Sequence, residues 1–338
     1  MNFGILSSGD SCLVEYNTIE NFAGDGLRGL GDYNTFQYNI VKNSYDVNGN
    51  HDDGFQSWSV GEGGVGTDTV WGVILRGNTI INYEDPNQPY RGTLQGIGCF
   101  DGFYANWIVE NNVVIVDHYH GITLSGAVNC RIINNTVADR DTADGDISPW
   151  IRVGNHKDGS ASAGCIVRNN IYYRTLSTDA TQTVDHNLRV RNYDSNFVDF
   201  GQFDLRLKEG SPAIDAGTHE LAPAIDIRGI TRPQGSLYDI GAYEYTLDEE
   251  INFFSTLIIY PNPFTNFTEI TFTLLTYGDV RLEIYNSSGS KIKEYVDNSI
   301  APRTYQYTFH RENFSSGAYF VYLKVNNQIA SKKVILIK

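Results

Sequence analysis

Val109-Glu110-Asn111-Asn112-Val113-Val114 is followed 23 residues later by Ile132-Ile133-Asn134-Asn135-Thr136-Val137. The pattern of an aliphatic stretch, an Asn and a second β-rich stretch also occurs at Val14-Glu15-Tyr16-Asn17-Thr18-Ile19 and Phe36-Gln37-Tyr38-Asn39-Ile40-Val41. It returns at Leu75-Arg76-Gly77-Asn78-Thr79-Ile80 and Val167-Arg168-Asn169-Asn170-Ile171-Tyr172. The anchoring residues Asn17, Asn39, Asn78, Asn112, Asn135 and Asn170 are spaced by 22, 39, 34, 23 and 35 residues. A coil of 22–23 residues with loop insertions gives such spacings. At about 3.3 Å per residue, one coil holds three short strands joined by turns. An Asn at one fixed position per coil predicts a ladder in which each amide bonds the next.

A second column aligns Asp25-Gly26-Leu27-Arg28, Asp53-Gly54-Phe55-Gln56, Gln95-Gly96-Ile97-Gly98, His120-Gly121-Ile122-Thr123 and Pro149-Trp150-Ile151-Arg152. Alternation sends Leu27, Phe55, Ile97, Ile122 and Ile151 inward and Arg28, Gln56, Gly98, Thr123 and Arg152 outward. The insertions fall around this column, and long loops beside a stacked sheet are where a binding groove forms. On these repeats, residues 1–200 resemble the right-handed parallel β-helix superfamily of pectate-lyase-like proteins. The resemblance implies a solenoid. It leaves activity open, since the superfamily includes lyases, hydrolases, epimerases and phage adhesins.

Bulk composition agrees with an all-β fold. Of 338 residues, 41% are hydrophobic and only 19% charged, which marks a folded chain; aromatics reach 13%, with 22 Tyr. The net charge of -15 opposes binding to phosphate backbones, so no nucleic-acid partner is expected. No run of about 20 apolar residues is present, so no membrane span is expected. Met1 to Gly9 lacks a basic start and an apolar run and reads like the middle of a fold. A preceding segment with an export signal and further coils is therefore expected.

Three polar clusters fall on the outward column: Asn50-His51-Asp52-Asp53-Gly54-Phe55-Gln56-Ser57-Trp58, Asp117-His118-Tyr119-His120, and Trp150-Ile151-Arg152 with His156-Lys157-Asp158. His51 aligns with His118 and Asp53 with His120, two rungs or about 10 Å apart. A lyase acting on a uronic-acid polymer needs a cation to neutralise the carboxylate, a base to take the neighbouring proton and an acid for the leaving oxygen. The expected catalytic set is His51, Asp52, Asp53, His118, His120 and Arg152. The expected substrate-binding set is Arg28, Gln56, Trp58, Tyr119, Trp150, His156 and Lys157, with Tyr90, Phe100 and Tyr104 as further stacking rings. Asp52 and Asp53 are candidate calcium ligands. A lyase is favoured over a glycoside hydrolase, because neighbouring Asp52 and Asp53 should point to opposite faces and cannot act together. A non-catalytic glycan-binding β-helix is the third reading. The chain is read as a monomer whose partner is the polysaccharide.

Residues 201–245, with Gly210-Ser211-Pro212-Ala213-Ile214-Asp215 and Asp239-Ile240-Gly241-Ala242-Tyr243, are expected to cap the last coil. In this reading Asp215, Asp226 and Asp239 are turn and cap residues. Residues 246–255 read as a linker. Residues 256–338 alternate in a way that predicts a small antiparallel β-sandwich. Its Tyr260-Pro261-Asn262-Pro263 start, Gly317-Ala318-Tyr319 strand and Lys332-Lys333-Val334-Ile335-Leu336-Ile337-Lys338 end resemble the C-terminal sorting domain of the type IX secretion system of Bacteroidetes. That resemblance implies the secretion machinery as a partner and a secreted or cell-surface location. The competing reading of this segment is a carbohydrate-binding sandwich. Cys130 and Cys165 each precede a ladder Asn by five residues, so they should stack in successive rungs, as thiols or as a disulfide.

Overall fold

The computed structural model describes residues 3–47, 49, 51–142, 147–179, 181–247, 254, 257–274, 278–301, 303–325 and 328–338, and it divides into two units, Met1–Leu247 and Asp248–Lys338. Most of the 246–255 linker, and Asn50, lie outside the described residues.

The first unit is a parallel β-helix of three seven-stranded parallel sheets. The first sheet is built from β1 (Phe3–Ser7), β2 (Asp25–Gly29), β3 (Asp52–Trp58), β4 (Leu94–Asp101), β5 (His120–Ser125), β6 (Trp150–Gly154) and β7 (Thr175–Ser177), hydrogen-bonded in that order. Leu27, Phe55, Ile97, Ile122 and Ile151 stand in one register column and are buried, as the alignment predicts.

The Asn ladder closes the bend between the second sheet (Leu13–Glu15, Thr35–Gln37, Ile74–Arg76, Ile108–Glu110, Arg131–Ile133, Ile166–Arg168 and Thr183–Asp185) and the third (Thr18–Phe22, Ile40–Ser44, Thr79–Ile81, Val113–Val116, Thr136–Asp139, Ile171–Tyr172 and Leu188–Arg189). Each amide oxygen accepts two bonds from the preceding Asn, through its backbone N–H and its Nδ2, from Asn17→Asn39 (3.1 and 3.0 Å) through to Asn135→Asn170 (both 2.9 Å). A seventh member, Asn187, extends the ladder beyond the six read from sequence. The residue before each ladder Asn has left-handed backbone, with φ between 49° and 62°: Tyr16, Tyr38, Gly77, Asn111, Asn134, Asn169 and His186. Asn tolerates that conformation better than most residues, which accounts for the Asn-Asn pairs.

Strict alternation fails at one place in the first sheet. Gly26, Gly54, Gly96 and Gly121 face the interior next to Leu27, Phe55, Ile97 and Ile122. A Cβ on them would lie 2.2–2.6 Å from Val41, Ile80, Val114 and Val137. Two consecutive inward residues bring i and i+3 onto the same outer face, so Asp25 meets Arg28, Asp53 meets Gln56 and His120 meets Thr123.

Residues 201–245 correct the end-cap expectation. They run along the side of the solenoid, where the side chains of Asn111, Asn134 and Asn169 in three successive coils donate to Ile225 O, Asp239 O and Thr218 O. The reason is visible in the third sheet, whose outward residues Ile81, Val113, Ile115, Ala138 and Ile171 are apolar and are buried by Ala213, Ile227, Ile240 and Ala242. Within the strap, Asp226 accepts three backbone N–H bonds and Arg232 pairs with Glu244 at 2.7 Å, both side chains fully buried. These carboxylates are structural.

The second unit is a seven-stranded antiparallel sandwich. A three-stranded sheet (Ile258–Tyr260, Phe267–Thr273, Thr304–His310) and a four-stranded sheet (Gly278–Asn286, Lys291–Ile300, Gly317–Val325, Gln328–Leu336) share one core around Phe272, Leu282, Phe309 and Leu323.

Candidate functional site

The outer face of the first sheet carries members of all three polar clusters. His51 immediately precedes β3, and its side chain is 64% exposed. Its Nδ1 lies 2.9 Å from Oδ2 of Asp53, a residue with no solvent exposure. Gln56 Nε2 donates to the same oxygen at 3.0 Å, while Asp53 Oδ1 is buried without a hydrogen-bond partner among the described residues. Burial pushes the Asp53 carboxyl up to about 7, against the pull of His51, and the hydrogen bond to Asp53 raises His51 above its usual value. Gly98 makes room for this arrangement, since a Cβ there would sit 2.4 Å from Asp53 Oδ1 and 2.9 Å from the Phe100 ring.

Asp25 stands beside Asp53 in the same column of the sheet and is almost wholly buried. It pairs with Arg28, whose guanidinium is held over the rings of Phe3 and Trp58 at 5.0 and 4.9 Å. Burial raises the Asp25 carboxyl as well. The alignment had put Asp25 in register with Asp53 without assigning it a role; the missing signal was the kink at Gly26, which turns both carboxylates onto the outer face.

Asp52 points elsewhere. Its Oδ1 accepts from the backbone N–H of Gly24 at 2.7 Å, and burial pushes its carboxyl up to about 6. Asp52 and Asp53 thus have separate surroundings, as alternation predicts. Among the described residues no three His, Cys, Asp or Glu side chains converge to hold a metal.

Two rungs from His51, the rings of His118, Tyr119, His120 and Trp150 pack together, with Phe100 4.4 Å from His120 and Tyr119 4.9 Å from Trp150. Trp150 Nε1 donates to Thr123 Oγ1 at 2.9 Å, and that hydroxyl lies 3.0 Å from His120 Nδ1. The hydroxyl has lone pairs for both the indole N–H and a ring N–H as well as a proton of its own, so the His120–Thr123 bond runs in the direction set by the ring tautomer. His118 Nδ1 accepts from the His120 backbone N–H at 3.1 Å, which leaves the proton of its neutral ring on Nε2. Burial lowers His118 to about 4 and, with the charges of His118 and Arg152, lowers His120 to about 3. Burial thus favours the neutral form of both rings, whereas the hydrogen bond to Asp53 favours the protonated form of His51.

Other expected residues are displaced from the strip. His156 is buried against Phe103, 4.3 Å between rings, with Nδ1 2.9 Å from Asp158 Oδ1, and Lys157 is paired with Asp101 at 2.5 Å. Tyr104 is fully buried and donates to Ser57 O. Tyr90 is 68% exposed on a loop of its own. Arg152 is exposed at the far end, 5.4 Å above the Trp150 ring. Cys130 and Cys165 are buried free thiols.

Residues 258–338 match the family model of the secretion system C-terminal sorting domain. The chain is thereby a type IX-sorted protein of the Bacteroidetes kind, exported to the cell surface or the extracellular space. No curated protein and no solved structure matches the chain.

Proposed function

We propose that the exported β-helix is a polysaccharide lyase that cleaves an acidic, uronic-acid polymer by β-elimination. The observation that carries this reading is the exposed His51 ring tethered to the buried Asp53, on the same sheet face as the neutral His118 and His120. Environments that push neighbouring titratable groups apart are how a site separates its proton acceptor from its donors. With Nδ1 engaged by Asp53, His51 Nε2 takes the proton next to the uronate carboxylate. The carbon–oxygen bond on the adjacent carbon breaks as the double bond forms, and Tyr119, beside His118, gives a proton to the leaving oxygen. Arg28 and Arg152, at either end of the strip, supply positive charge for the carboxylate, and Trp58, Phe100 and Trp150 offer faces for sugar rings.

A glycoside hydrolase is the second reading, favoured by the adjacent raised carboxyls of Asp25 and Asp53. It ranks lower because neither carboxyl has the solvent exposure needed to reach a glycosidic bond.

Incubating the protein with a panel of acidic and neutral glycans separates these readings. A lyase raises near-ultraviolet absorbance with acidic chains only. Reducing ends formed without that absorbance would replace the proposal with the hydrolase, and no product from any glycan would leave a binding protein.

A further inference from the structure

The two sheets of the sandwich turn different faces outward. In the three-stranded sheet, Thr304, Gln306, Thr308 and His310 alternate to the outside, as expected where one side of an antiparallel sheet meets water. In the four-stranded sheet the outward positions include Phe320 and Tyr322. The register sets Tyr285 beside Phe320, Glu283 beside Tyr322, and Lys324 beside Ile329. These three rows line a groove of about 540 Å³, the size of a small-ligand site, together with Asn286 and Ser287 of the adjoining turn. Tyr285 and Tyr322 meet edge to face, 5.4 Å between ring centres at 87°, so two ring faces stand at right angles. Phe320 and Ile329 are 36% and 63% exposed.

Glu283 is only 3% exposed, although it stands on the solvent side of the sheet. Lys291 donates to its Oε1 at 3.2 Å, and the Lys324 ammonium lies 2.7 Å from its Oε2. A carboxylate this deep is held in place by its cations. Among the described lining residues the charged groups are Glu283 and Lys324, which offset each other. Aromatic faces beside a fixed acceptor and a fixed donor, with no net charge, are the chemistry that seats an uncharged sugar. The rings cover its C–H faces, and the ion pair takes neighbouring hydroxyls. An anionic sugar would meet Glu283 as well as Lys324 and gain little.

We propose that this groove binds an uncharged, hydroxyl-rich sugar unit of a polysaccharide, so that the domain that directs export also holds the protein on a glycan. The inference does not use the lyase reading, since it concerns the second unit and a neutral ligand.

The test is affinity electrophoresis of the full chain through gels containing a soluble glucan, a xylan, a mannan, a polyuronate, or neutral polysaccharide extracted from the surface of the producing cells. At least one neutral gel is expected to retard the native chain, and comparing the extracted polysaccharide with the others tells a cell-surface ligand from one met after export. Tyr322→Ala removes a ring face and should weaken that binding by roughly tenfold. Ile329→Arg obstructs the groove from an exposed position without touching the core, and should weaken it as much. The second variant decides the matter if the first fails to fold. No retardation by any neutral gel overturns the site, as does retardation that Ile329→Arg leaves unchanged. Normal glycan binding in both variants with lost export would instead make the groove a docking face for the secretion machinery.

Discussion

His51 Nδ1 lies 2.9 Å from Asp53 Oδ2, joining an exposed imidazole to a carboxylate that water does not reach. The two residues sit on either side of Asp52, and the link depends on the backbone path around them. Gly54 turns its Cα into the core, so Asp53 and Gln56 share the outer face. A buried acceptor fixes the ring orientation and raises its affinity for a proton, as the orienting carboxylate does in catalytic dyads and triads.

Removing the charge from Asp53 should lower the His51 pKa toward its ordinary value of 6.5, since the hydrogen bond to Asp53 is the main cause of its elevation. In Asp53→Asn the basic form of His51 therefore persists to lower pH, and the acid limb of any pH–rate profile moves the same way. Loss of ring orientation should cut turnover by about a hundredfold. An NMR titration of the His51 ring reads the shift directly, and an unchanged pKa would sink the dyad.

Two glycines two residues apart should respond differently to alanine. At Gly96 a Cβ would lie 2.2 Å from the carbonyl oxygen of Gly121 and 2.5 Å from Val114, so backbone must move and the cost should be about 3 kcal/mol. At Gly98 the close atoms are the ends of the Asp53 and Phe100 side chains, which can shift. Gly98→Ala should keep most of the stability and disturb the His51 titration, whereas Gly96→Ala should lower the denaturation midpoint. Equal losses of stability would contradict the assignment of the two faces.

The fold was legible because the ladder is written in one residue type at one position per coil. The column from Leu27 to Ile151 followed from that spacing alone. Asn187 escaped notice because its coil is only 17 residues long and His186-Asn187-Leu188 lacks the usual flanking pattern. His156 lies in an exposed turn after β6, yet its own ring is buried against Phe103, a contact that a periodicity count does not reach past the strand end. The strap of residues 201–245 was read as an end cap because a one-dimensional pattern does not tell the last coil from the side of the stack. The continuous apolar run Val113-Val114-Ile115-Val116, which demands cover on both faces, was the available clue.

Truncating the ladder in its middle should cost far more than at its start. Asn112 is fully buried, accepts from the backbone and side chain of Asn78, and donates to Leu75 O and Asn135 Oδ1. Asn112→Ala strands the Asn78 N–H and the Leu75 carbonyl inside the coil, at a cost on the order of 2–4 kcal/mol. Asn17 is half-buried and only donates, to Glu15 O and Asn39, so Asn17→Ala should cost about 1 kcal/mol or less. Chemical denaturation of the two variants checks the ranking, and equal losses would show that the ladder is not the stabilising element.

Asp52 gives a pH dependence of stability whose sign can be worked out. Burial raises its carboxyl from 3.8 to about 6, so between those values the folded chain keeps a proton that the unfolded chain releases. Stability contributed by that proton is present at low pH and is lost as pH rises through about 6. Asp52→Asn does not titrate, and its amide oxygen can still accept from the Gly24 N–H. The variant should match the native chain near pH 4 and exceed it by about 1–3 kcal/mol near pH 7.5. Asp239, which does not feel Asp52, titrates in both proteins and cancels in the difference, while loss of the Asp52 charge also relieves the neighbouring Asp53 carboxyl, which adds to the gain on the alkaline side. Denaturation midpoints at the two pH values provide the measurement. A variant that gains nothing on the alkaline side would mean that Asp52 is solvated or paired in solution, and that the loop carrying His51 is more open than its contacts imply.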